Sequence, residues 1–239
     1  RLANSQRLAE PQLAGRPSAS LQPRMSWARG LTGEGLEELN RVLNRENYGG
    51  EAKRLRNHKN IPAGTRQKGK KVLLIQTGGT IDKDYPRKTK GYAFQISDPA
   101  VHRILAKANL DLQFKTVTAC RKDSTEITKA DRLRILQLCM RSPANHILVT
   151  HGTDTMIETA QLLGQAQKWR KGLSNKVIVL TGAMKPERFV DSDAAFNIGA
   201  AICALETCKP GVYVCMNGRP LRCDTVGRDK VSGRFISKL

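Results

Sequence analysis

Apolar and polar positions divide the chain into two textures. From residue 71 onward, short apolar runs alternate with segments of helical spacing. KVLLIQTGGTI (71–81) is a basic residue, an apolar run and a glycine turn, the pattern of a buried strand ending in a loop. FKTVTACR (114–121), HILVTHG (146–152), KVIVLTGAM (176–184) and GVYVCMNG (211–218) read as further short apolar strands. Ser97-Asp98-Pro99 opens a helix with the stripe Val101, Ile104 and Leu105, and Pro99 suits its first turn. Thr128 opens a second helix containing Leu133, Ile135, Leu136 and Leu138, and residues 154–168 and 192–207 read as two more. This alternation predicts an α/β domain over residues 70–239, with three layers and a mainly parallel sheet flanked by helices. Ligands of such sheets gather at the carboxyl ends of the strands.

Residues 1–69 carry a different texture and read as a basic extension, an extended tail with one short helix. Leu36, Leu39, Val42 and Leu43 form a single apolar stripe that predicts a helix at about 33–47, stopped by Gly49-Gly50. EAKRLRNHKN and GTRQKGKK then form a basic linker, too polar to order itself. The first thirty residues are rich in Arg, Ser, Ala and Leu with Glu10 as their only acid, a composition resembling a mitochondrial presequence.

Charge changes the picture. The formal net charge is +20. Residues 1–70 hold 14 basic and 6 acidic residues, a net of +8, and residues 71–239 hold 27 and 15, a net of +12. An excess present in both parts points to a polyanionic partner. No apolar run reaches the roughly 18 residues needed to span a bilayer, so no membrane role is expected. The six cysteines include no C-x-x-C pair and the four histidines are scattered, so neither a metal site nor a cofactor is expected. Cys120, Cys139, Cys203 and Cys215 lie in apolar segments and read as core thiols of a reducing compartment.

Three strand-end loops carry candidate chemistry: Thr77-Gly78-Gly79-Thr80-Ile81, His151-Gly152-Thr153-Asp154-Thr155 and Thr181-Gly182-Ala183-Met184-Lys185-Pro186. Glycine lets backbone approach a ligand, and a threonine hydroxyl becomes a nucleophile beside a base. TGGTI lacks the G-K-[ST] ending of a phosphate loop. TGGTI, VTHGTDTMIETA and VLTGAMKPERFVDSDAAFNIGAA, in this order and spacing, resemble the bacterial-type L-asparaginase family. RKDSTEIT (121–128) and VYVCMNGRPLRCDTVGRDKVSGRF (212–235) resemble its short, single-domain branch, and residues 1–69 have no counterpart there.

The resemblance implies an asparaginase N-terminal-domain-like fold and a set of roles. Thr80 matches the nucleophile, and Thr153 and Asp154 match the second threonine and its acidic partner. Gly79, with Gly78 and Gly152, would place backbone donors near a developing oxyanion and counts among the substrate-binding residues. Arg121 and Lys122, with Asp123 following, fall where longer relatives hold the substrate carboxylate through a Ser-Gln pair. Tyr92 or Tyr85 matches the lid tyrosine. Asp123, Asp191 and Asp193 also read as caps of turns and helices, and His151 as a structural loop histidine. One departure stands out: the family's lysine position is Arg228 here, and arginine does not readily give up a proton.

Two functions follow. The first expectation is an asparaginase-like domain repurposed as a structural subunit of a ribonucleoprotein, with a mitochondrial ribosome in the matrix as the leading candidate. Its partners would be ribosomal RNA and neighbouring ribosomal proteins. The alternative is an active L-asparaginase, converting asparagine to aspartate and ammonia through Thr80, with a homodimer expected only in that case.

Overall fold

The computed structural model describes residues 71–85, 94–108, 110 and 112–238. The helix expected at 33–47, the presequence-like start, the basic linker and Tyr92 lie outside them.

Each apolar run becomes a strand of one sheet: β1 (Lys71–Gly78), β4 (Gln113–Lys122), β5 (His146–Thr150), β6 (Val177–Thr181) and β7 (Gly211–Met216). Helices connect them: α1 (Ala100–Lys107), α2 (Lys129–Arg141), α3 (Met156–Trp169) and α4 (Ala194–Thr207). The order across the sheet is β4-β1-β5-β6-β7-β8, where β8 (Arg219–Arg222) joins antiparallel at the edge and the other pairs are parallel. Two short ribbons stand apart: β2 (Lys83–Asp84) with β3 (Gln95–Ile96), and β9 (Val226–Arg228) with β10 (Phe235–Ser237).

Alternation along the strands makes the three layers. Ile147 and Val149 of β5 face one cluster with Ile135, Leu136 and Cys139 of α2 and Met156, Ala160 and Leu163 of α3. Leu148, between them, faces the opposite cluster with Val101, Ile104 and Leu105 of α1 and Ile198, Ala201 and Leu205 of α4. Both faces are covered, which is why the strands read as unbroken apolar runs rather than alternating ones. All six cysteines are unpaired thiols; Cys139, Cys215 and Cys223 are buried, but Cys203 is exposed, contrary to the expectation from its apolar neighbours. It lies on the outer face of α4, whose inner face the core already uses.

The strand order has a functional consequence. After β1 the chain turns to one side, to β4, and after β5 it turns to the other, to β6. The neighbouring strands β1 and β5 therefore form the switch point of the sheet, at whose carboxyl ends ligands of such sheets bind.

Two buried ionisable groups hold the connections. Lys176 is buried and its Nζ donates to the carbonyls of Ser142 and Ala144 at 2.7 and 2.8 Å, closing the turn between α2 and β5. Asp82 is also buried. Its Oδ1 accepts from the Ala100 backbone N–H at 2.8 Å, capping α1 from outside, and its Oδ2 accepts from Gln76 Nε2 at 3.0 Å.

Lys176→Met keeps the side-chain bulk and leaves two carbonyls unpaired. It is expected to lower unfolding free energy by about 1–3 kcal/mol, read as a fall in the urea midpoint at unchanged slope. Burial pushes the Asp82 carboxyl up to about 6, against the lowering effect of the Ala100 and Gln76 hydrogen bonds. The folded state therefore holds this proton more tightly than the unfolded chain. Stability contributed by Asp82 falls as pH rises from about 4 to about 6, by about 3 kcal/mol in total. The difference in urea midpoint between the wild-type chain and Asp82→Asn should shift by that amount across the window; a difference constant with pH would assign the titration elsewhere.

Candidate active site

The first loop leaves β1 through Gly78 and Gly79 into a 3-10 turn at Thr80–Asp82. Gly79 has φ of +80°, and a Cβ placed on it would lie 2.4 Å from the Gly152 backbone. Only glycine satisfies both the positive φ and that contact. Gly152 in turn leaves no room for a side chain, since its Cβ would meet Ser124 Cβ at 2.6 Å. The loops after β1, β4 and β5 are thus stacked backbone against backbone, and the Gly79 N–H donates to the Lys122 carbonyl at 3.0 Å.

This stack sorts the threonines. Thr77 is buried and donates to the Thr150 carbonyl at 2.9 Å; Thr155 donates to the Ser124 carbonyl at 2.7 Å; Thr181 donates to the Cys215 carbonyl at 2.7 Å. Those hydroxyls serve the scaffold. Among the described residues, the hydroxyls of Thr80, Thr150 and Thr153 make no hydrogen bond; Thr150 and Thr153 are buried, whereas Thr80 is partly exposed on its turn. The structure thus separates the two threonines of TGGT, one structural and one free to react.

Asp154 is the charged centre beside them. Its Oδ1 accepts from Arg228 Nη1 at 3.2 Å, its Oδ2 accepts from Ser124 Oγ at 3.2 Å, and its N–H donates to the same Ser124 Oγ. Arg228 arrives from β9. Its Nε donates to the Gly233 carbonyl at 3.1 Å, its Nη1 lies 3.5 Å from the Thr153 carbonyl, and its guanidinium sits 5.6 Å over the Phe235 ring. Ser124 and Arg228, the latter braced by Gly233 and Phe235, fix the Thr153-Asp154 segment in one position.

The Lys122 backbone belongs to the stack, while the side chains of Arg121 and Lys122 are taken up in ion pairs. Both still belong to β4; Arg121 pairs with Asp98 at 2.8 Å and Lys122 with Asp131 at 2.7 Å. Asp123 begins the loop, accepts from the Ser124 N–H at the start of a 3-10 turn and pairs with Lys83, whose ammonium holds its carboxyl below the usual range. Ser124 is the residue of this loop that reaches Asp154, and sequence reasoning passed it over. The available signal was positional, because a site at the carboxyl ends of strands is built from loop residues rather than the last residues of the strand. Tyr85 stacks on Phe94 with centroids 4.4 Å apart, and Phe94 lies 5.8 Å from Phe189.

His151 has a structural environment. Its Nδ1–H donates to the Gly152 carbonyl at 2.8 Å, which leaves Nε2 to accept from Thr159 at 2.9 Å. Burial pushes its pKa down to about 4, so the ring is neutral at physiological pH. Asp193 receives the Met184 N–H at 2.9 Å and the Lys185 N–H at 3.2 Å, holding the third loop, while Asp191 pairs with Lys185. Among the described residues there is no group of three or more His, Cys, Asp or Glu side chains placed to hold a metal ion, and no helix long and apolar enough to cross a membrane.

Comparison with known proteins identifies relatives of this fold. Glutaminase-asparaginase of Acinetobacter glutaminasificans is 28% identical over 156 residues, covering 61% of this chain and 46% of that protein. L-asparaginase 2 of Bacillus subtilis is 28% identical over 160 residues, covering 62% of this chain and 41% of its own length. The chain thus spans less than half the length of these relatives. The thermostable L-asparaginase from Thermococcus kodakarensis shares the fold, with a TM-score of 0.60 at 24% identity over 70% of this chain and 51% of that one. Residues 71–234 match the family model described as asparaginase, N-terminal, and the chain belongs to the asparaginase family.

Proposed function

We propose that this domain hydrolyses the side-chain carboxamide of L-asparagine, with L-glutamine as a second substrate to be compared. The observation that carries the reading is the sorting of hydroxyls: Thr77, Thr155 and Thr181 are tied to carbonyls, whereas Thr80, partly exposed, and Thr153, next to Asp154 in the chain, are unengaged in the two loops that meet at Gly79 and Gly152. Thr80 Oγ attacks the amide carbon, the C–N bond breaks, and the nitrogen leaves as ammonia carrying the proton from the hydroxyl. Water then cleaves the Thr80 ester, giving aspartate and restoring the threonine. The names of the relatives, glutaminase-asparaginase and L-asparaginase, support the same chemistry.

Proton handling differs from that of a lysine-bearing site. The guanidinium of Arg228 orients Asp154, and unlike an amine it is no carrier of protons. His151 is neutral, but both its nitrogens are engaged and it is buried. Thr153 and Asp154 are left to receive the proton from Thr80.

The ribonucleoprotein reading, placed first on charge, now stands second. None of the matched proteins gives support to a ribosomal role, and they favour the amidohydrolase. The mitochondrial address rests on residues 1–30, and the RNA partner on the charge of +20.

Ammonia release from L-asparagine and L-glutamine tests the main reading. Thr80→Ala should lower kcat/KM by at least about a thousandfold with an unchanged melting temperature; activity retained in that variant would remove Thr80 as the nucleophile. Arg228→Lys should raise kcat by about tenfold, with the gain growing above about pH 9 as a removable proton is introduced. An identical pH profile in the two proteins would mean that the cation only positions Asp154.

A further inference from the structure

The edge of the sheet opposite the threonine loops has its own chemistry. β1 begins at Lys71, β5 at His146, β6 at Val177 and β7 at Gly211, and the register sets these starts in one row: Val72 beside His146, His146 beside Val177, Val177 beside Gly211. The preceding helices end there too, α2 at Arg141, α3 at Trp169 and α4 at Thr207. Backbone bonds close the row, Val177 N–H to the Asn145 carbonyl and Gly211 N–H to the Lys176 carbonyl.

Cations dominate this row. Lys71, Arg141, Lys168, Lys171 and Lys209 are exposed and Arg170 is partly so. The sequence has no acid between Asp131 and Asp154 and none between Glu158 and Glu187. Among the described residues, the acids near the row are Glu206, in the last turn of α4, and Asp224, which Arg222 already pairs at 3.0 Å; Asp111, two residues before β4 in the sequence, lies outside them. Among these cations Trp169 is 66% exposed, an indole that the core does not use. A bare positive surface would fit any polyanion. An exposed indole between Lys168 and Arg170 adds a stacking face, which suits a nucleobase and does nothing for a carboxylate.

We infer that this edge is a binding surface for single-stranded nucleic acid, with Trp169 stacking a base and Lys168, Arg170 and Lys171 neutralising the adjoining phosphates. The site is independent of the amidohydrolase reading, because it lies at the other ends of the same strands. Residues 1–70 bring their own net +8 into every variant, so differences between variants report on the edge.

The test uses the full chain and a fluorescein-labelled oligouridine, with Kd read by anisotropy over a salt series. Trp169→Ala should weaken binding about tenfold and leave amide hydrolysis unchanged, while Trp169→Phe, which keeps a stacking face, should stay within about threefold of wild type. Reversing Lys168, Arg170 and Lys171 to Glu should flatten the slope of log Kd against log salt by about 2. A control reversal of Lys129, Lys230 and Arg234, which carries the same change of charge elsewhere, should move that slope by less than half as much. Three results would overturn the assignment: Trp169→Ala binding like wild type, the two triple reversals behaving alike, or phosphatidylserine vesicles displacing the oligonucleotide.

Discussion

The backbone contact between Gly79 and Gly152 is the constraint on which the rest of the site depends. Strands of a parallel sheet fix where loops begin but not how closely they approach. Here two glycines remove the side chains that would hold the loops apart, and one of them supplies a positive φ that other residues adopt at a cost. Closure at that contact brings the turn of Thr80 beside the segment of Thr153 and Asp154. It also explains the division of labour among hydroxyls. Thr77, one residue before the glycine pair, secures β1 to β5 through the Thr150 carbonyl, and that leaves Thr80 on the far side of the turn, unengaged.

Electrostatics completes what packing begins. Asp154 accepts from Arg228 and from Ser124, so neither oxygen is free to swing. A guanidinium suits this task because its donors are fixed in a plane and one of them can serve Asp154 while Nε serves Gly233. The same property removes it from any relay of protons. Asp82 makes a contrasting use of a carboxylate. It lies two residues after Thr80, is fully enclosed, and ties the turn to the start of α1. The result is a site whose reactive turn is braced by one buried acid and whose acidic partner is braced by one permanent cation.

Much of this was readable from residue order. Five strands followed from short apolar runs, and Thr128 announced α2, where the structure contains a capping box with Thr128 and Asp131 bonding each other's backbone N–H. The short ribbons β2–β3 and β9–β10 and the edge strand β8 were not readable, since two to four residues are too few to show a period. Arg121 and Lys122 were drawn into the candidate site by position in a motif, although β4 extends through both of them and their charges are satisfied by Asp98 and Asp131. Ser124 was missed because a serine after an aspartate reads first as a turn. Which threonine of TGGT is the candidate nucleophile was implied only by resemblance; that Thr77 is tied to a carbonyl needed three-dimensional neighbours.

The length of β5 carries a consequence of its own. Five residues, His146–Thr150, separate the basic row from the threonine loops, a span of about 17 Å at the rise of a parallel strand. The Debye length at physiological salt is about 8 Å. Charges on one rim are therefore about two screening lengths from the other, and lysines can accumulate on the first without retuning the proton affinities of the second. A fold with this spacing lets surface charge drift under one selective pressure while the chemistry at the opposite rim answers to another.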